Sequence, residues 1–155
     1  MQDLQKKEFT LRISQANRTQ LTVLIFEMAL IYLQDAKAAE GEDDFRLEIK
    51  RARGCVDELK RALDFRYELS NVLLHQYIQI NKLLVRASLS GKKEYLDRVS
   101  AMLTKLKEAF EQVAKEDTSG PVIENAQTVY AGYTYGKNDI NVNLDNNSTG
   151  RGFLV

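Results

Sequence analysis

The side chains best suited to chemistry are scarce in this chain: one histidine, His75, and one cysteine, Cys55, stand twenty residues apart. A zinc or related site needs three or four nitrogen and sulfur ligands brought together, and neither residue has a second His or Cys near it in sequence. No Glu-x-x-His pair is present, which removes the usual di-metal carboxylate bundle. There is no P-loop, dinucleotide fingerprint or nucleophile elbow. Gly132 and Gly136 in AGYTYGK do not make a phosphate-cradling loop. His75 therefore reads as a structural or surface residue, and Cys55, between Gly54 and Val56, as a small packing residue. No catalytic residue, metal or cofactor is expected, and an enzyme is not.

What remains is the chemistry of apolar contact. Residues 21–33 hold a single charge, Glu27. At 100° per residue, Leu21, Leu24, Ile25, Met28 and Tyr32 share one face of a helix. Val23, Phe26, Leu30 and Leu33 line the opposite face. A helix apolar on all sides is either central in its domain or keeps a face for a partner. A later segment repeats the pattern: outside its core stripe lie Leu74, Ile78 and Val85, with Asn81 at the intervening turn. These two stripes, Val23, Phe26, Leu30 and Leu33 with Leu74, Ile78 and Val85, are the candidate partner-binding residues. An amphipathic helix lying in a groove is the matching recognition mode.

The elements that position them are helices. Pro121 is the only proline, and nearly everything before it has helical periodicity. Asn17 with Gln20 has the spacing of a capping box and starts the first long helix, which should stop near Gly41. A second helix begins at Asp43 or Asp44, with Phe45, Ile49, Ala52, Val56, Leu59 and Leu63 as its seam. A third, after a break within residues 64–70, carries Leu69, Val72, Leu73, Tyr77, Ile80, Leu84 and Ala87, and ends at Ser90-Gly91. A fourth, from about Lys93, turns Leu96, Val99, Met102 or Leu103, Leu106, Phe110 and Val113 inward. Short connections between long helices predict an all-α, antiparallel up-down four-helix bundle over residues 1–116. Residues 117–155, rich in Gly, Asn, Ser and Thr, read as a flexible C-terminal extension.

Composition narrows the function. The 22 basic and 22 acidic residues cancel, which argues against a dedicated nucleic-acid binder and against adhesion to an anionic membrane. No stretch has the length of a membrane span, and the N-terminus MQDLQKKEFTLRIS has no apolar stretch of signal-peptide length, so a cytoplasmic protein without membrane insertion is expected. The lone cysteine suits a reducing compartment. From Glu116 onward five acids face only Lys137 and Arg151, leaving the body at about +3.

At the two apolar blocks the sequence resembles the FliS family of flagellin-export chaperones. In the first block, Phe26-Glu27-Met28-Ala29-Leu30 closed by Tyr32-Leu33 is similar to the family's Tyr-Asp-Gly-Ala-Leu-like core. In the second, residues 63–92, Glu68, Leu69, Ser70, Leu73, Tyr77, Leu84 and Ala87 fall on the family's places. The likeness spans about residues 13–113. Phe26 replaces the usual Tyr, Met28 stands where Gly is frequent, and Arg66-Tyr67 replace glycines. The Tyr- and Gln-rich N-terminal arm that covers the empty groove in the family does not show in MQDLQKKEFTLR.

The resemblance implies a cytosolic, stoichiometric chaperone that binds the C-terminal helical segment of flagellin. Premature polymerisation would be prevented and the client kept export-competent. The flagellar export gate is a second contact such a role implies, and the protein should be monomeric or weakly self-associating. The residues alone leave a second reading, a generic helical adaptor or homodimer using the same stripes. Since the family's arm does not show in the sequence, the tail residues Tyr130, Tyr133 and Tyr135 are the candidate groove cap, because their rings can lie on apolar surface while the hydroxyls stay wet.

Overall fold

A computed structural model describes residues 1–123, which form five α-helices and no strand. They are α1 (Asp3–Gln15), α2 (Arg18–Ala38), α3 (Glu42–Arg61), α4 (Glu68–Ser90) and α5 (Glu94–Glu116). The expected four-helix architecture is thus one helix short. Residues 1–16 lack a clean apolar stripe, and Phe9 is the only buried residue of α1.

Local chemistry sets the helix ends. Asn17 caps α2 as its spacing predicts: its Oδ1 accepts from the Gln20 amide at 2.8 Å, and Gln20 Oε1 accepts from the Asn17 amide at 2.9 Å. α2 ends at Ala38, close to Gly41 as expected, and Gly41 itself N-caps α3 with φ −99°. Three acids, Glu42, Asp43 and Asp44, then occupy the positive end of the α3 dipole. The break between α3 and α4 is organised by Asp64, which accepts from the Arg66 amide through Oδ1 and from Ser70 Oγ through its carbonyl. Gly91 ends α4 with φ 69°, a conformation that favours glycine.

α2 and α4 each pack against both α3 and α5, while α1 rests on α2. Polar ties fix the antiparallel sense of α2 and α5. At one end Thr19 Oγ1 donates to Asp117, and at the other Lys93 Nζ donates to the Lys37 carbonyl at 2.6 Å. The core between the four longer helices is built from Phe26, Leu33, Ile49, Val56, Leu59, Tyr77, Ile80, Leu84, Leu96, Val99 and Leu103. A smaller cluster, Phe9, Ala16 and Leu24, seats α1, with Ile13, Leu21, Met28 and Ile31 packed around it.

Three residues expected to face inward do not. Leu69 and Val72 are exposed at 63% and 53%, and Val113 is also exposed. All three lie near helix ends, where the neighbouring helices no longer cover the periodic face.

Candidate partner-binding surface

Of the stripe Val23, Phe26, Leu30 and Leu33, the last three face the core, and Val23 lines the groove where α1, α2 and α5 meet. Phe26 and Leu33 are fully buried, Val23 is buried, and Leu30 is half-buried against the core. The Phe26 ring packs tilted against Tyr77 and Phe110, with centroids 6.3 and 5.5 Å away. The expectation that this face stays open is therefore corrected: the protein fills it itself. Of the other apolar face, Ile25 and Tyr32 also pack against the core, and α1 covers Leu21, Leu24 and Met28. Arg12 of α1 grips Glu27 with two hydrogen bonds, at 2.7 and 3.0 Å. That bond to Glu27 is the main reason the Arg12 pKa is raised, against the opposing effect of burial. The one charge in the apolar run thus anchors the covering helix.

The α4 stripe behaves differently. Ile78 is 39% exposed, and Leu74 and Val85 are half-buried. Ile78 and Val85 lie in a groove of about 460 Å³ between α3 and α4, whose other lining includes Arg53, Lys60, Asn81, Lys82 and Arg86. Asp57 stands beside it, bonded to Lys60 at 2.7 Å and to Asn81 Nδ2 at 3.0 Å. The hydrogen bond from Lys60, foremost, holds the Asp57 pKa below the usual carboxylate value, with Asn81 adding to it. A second groove, of about 640 Å³, runs where α1, α2 and α5 meet, between Arg12, Gln20, Glu111 and Lys115.

A model of the family described as flagellar protein FliS matches residues 1–117, and so spans all five helices. The chain belongs to the FliS family. Curated proteins give no significant match. FliS membership makes it a flagellar export chaperone, and the match stops one residue past the end of α5, so the tail adds nothing to it. It begins at residue 1, which places α1 inside the FliS domain although its sequence lacks the arm composition expected.

Other residues of this FliS chain fall into place around that surface. Phe65, Tyr67, Leu69 and Val72 form an exposed apolar run where α4 begins. Phe65 and Tyr67 escaped sequence reasoning, and two aromatic residues in a turn free of Gly and Pro were the available signal. Cys55 is buried, and burial raises its thiol pKa to about 11. His75 is exposed, its Nδ1 2.7 Å from the Asn71 carbonyl. Among the described residues no group of three His, Cys, Asp or Glu side chains could hold a metal, and no helix is long and apolar enough to cross a membrane. Tyr130, Tyr133 and Tyr135 lie outside the described residues.

Proposed function

We propose that this chain is a cytosolic, stoichiometric chaperone for flagellin, binding the client's C-terminal helical segment so that it neither polymerises early nor loses export competence. The observation that carries the reading is the FliS match across every helix. The α4 face supports it: Ile78 is exposed and Leu74 and Val85 border it, while the exposed residues from Phe65 to Val72 offer a separate apolar patch where the helix begins. Burying one such aliphatic side chain is worth about 1.5–3 kcal/mol. Ordering a disordered client offsets a few of those kcal/mol, so several anchors are needed. Phe26 acts from beneath, its ring packed against Tyr77 of α4, while Val23, Leu30 and Leu33 seat α2 in the bundle. The export gate is the second partner of such a chaperone.

The test is calorimetry with flagellin and with flagellin lacking its C-terminal segment. Binding only to the intact client supports the reading, and equal binding to both removes it. Ile78→Glu should lower affinity at least about tenfold, the loss of one buried aliphatic anchor, with helical content unchanged. A stable dimer that ignores flagellin would favour the homodimeric adaptor instead.

The tail tyrosines Tyr130, Tyr133 and Tyr135 are proposed as a competing cover for the groove, on sequence grounds. Truncation for this purpose belongs after Val122, because Asp117 and Ser119 bond to the start of α2. Higher flagellin affinity with more self-association would support the cap, and no change in either would remove it.

A further inference from the structure

The α3–α4 groove has an apolar floor between cationic walls. Ile78 and Val85 are seven residues apart on α4, and Arg53 and Lys60 are seven apart on α3, so each pair repeats along one helix face over about 10 Å. Of the four cations in the lining, Lys60 is answered by Asp57. Arg53, Lys82 and Arg86 form no ion pair among the described residues. Two polar atoms in the same lining, Arg53 Nε and Asn81 Oδ1, are buried and lack a hydrogen-bond partner. A buried donor left unmade is costly, and a guanidinium is best satisfied by a carboxylate, which can accept in the plane of its fork.

We infer that this groove selects an amphipathic client helix whose apolar stripe is flanked by carboxylates, with Arg53, Lys82 and Arg86 reading the acidic flanks. The inference rests on the reading of the Ile78–Val85 face as client surface and adds to it the charge of what that face accepts. Apolar anchors on the floor supply affinity, while the cationic walls supply orientation and discrimination against basic helices. A nucleic acid fits less well: the lining offers no aromatic ring for a base to stack on, and Ile78 and Val85 would be left without an apolar partner.

The experiment uses the full chain and two labelled helical peptides sharing one leucine stripe, one with glutamates on its flanks and the other with lysines. Anisotropy titrations at low salt should give the acidic peptide at least about tenfold the affinity of its twin, and the gap should narrow severalfold at about 0.5 M salt, where screening is strong. The double reversal K82E/R86E should weaken flagellin and the acidic peptide by about tenfold or more. K92E/K105E, an equal charge change at exposed sites outside the groove, should leave both within about twofold. Equal binding of the twin peptides would overturn the inference. So would flagellin affinity unmoved by K82E/R86E, or displacement of the acidic peptide by a single-stranded RNA oligomer. Should the acidic peptide bind selectively while flagellin does not bind at all, the groove's preference stands and the flagellin reading falls. All variants should retain their helical circular dichroism, since Lys82, Arg86, Lys92 and Lys105 are exposed.

Discussion

Cys55 and Phe26 both owe their behaviour to burial. The Cys55 thiol, with its pKa raised to about 11 by desolvation, is almost entirely protonated at pH 8. Alkylation by iodoacetamide at that pH should run at least about a hundredfold slower than for a free thiol, and reach the free rate once the chain is unfolded in urea. A fast native reaction would contradict the packing. Phe26 is 0% exposed and wedged between Tyr77 and Phe110. Phe26→Ala should therefore cost about 3–5 kcal/mol in urea unfolding. Ile78→Glu should cost under about 1 kcal/mol, as a surface substitution does. If the two costs came out alike, Ile78 would belong to the core and could not be a client contact.

Among the elements, α1 has the most specific job. It covers the outer face of α2 with Phe9 and Ile13, and is pinned there by Arg12 on Glu27. Deleting residues 1–15 keeps the Asn17 cap, so α2–α5 should stay helical while Leu21, Leu24 and Ile31 become accessible. The expected readout is a severalfold rise in binding of a hydrophobic dye, together with concentration-dependent self-association. Unchanged dye binding would mean that α1 contributes no cover. At the far end of α4, Gly91 holds φ 69°, with open space where a Cβ would sit. Gly91→Ala should lower stability by about 1 kcal/mol from backbone strain alone, and a neutral result would indicate that the turn re-forms.

At the scale of the molecule, the bundle is closed by the segment that follows α5. Asn17 Nδ2 donates to the carbonyls of Asp117 and Ser119, Thr19 donates to the Asp117 carboxylate at 2.7 Å, and the Val122 amide donates to the Ala16 carbonyl. Hydrogen bonds from Ser119 first, and from Thr19, lower the Asp117 pKa from 3.8. Asp64, which organises the α3–α4 turn, is held at about 2 by Arg66. Both folded values are depressed, so each carboxylate contributes stability that is present above the unfolded value near 3.8. That contribution is lost as pH falls through the folded value. Between pH 4 and about 2 the melting temperature should drop, and Asp64→Asn should drop less steeply over the same range. An identical slope for variant and parent would show that the Arg66 contact is not formed in solution.

Much of this architecture was written locally. The Asn17–Gln20 cap, the α3 seam from Phe45 to Leu59 and the Ser90-Gly91 stop depend on residues within a few positions of one another, where hydrogen-bond geometry and helical periodicity act directly. A helix apolar on two faces was equally plain in the chain. Periodicity alone does not say which face of a symmetric apolar helix turns inward, because both faces of α2 satisfy the same pattern. Tertiary packing decided it: α3 and α5 flank α2 on the Phe26–Leu33 side, and α1 takes the Leu24 side through a single buried phenylalanine and one ion pair. It also decided that Leu69 and Val72 face solvent, because they sit beyond the reach of neighbouring helices. The cationic groove has the same origin. Arg53 and Lys60 belong to one helix, Lys82 and Arg86 to another, and only their antiparallel packing sets these charges around Ile78 and Val85.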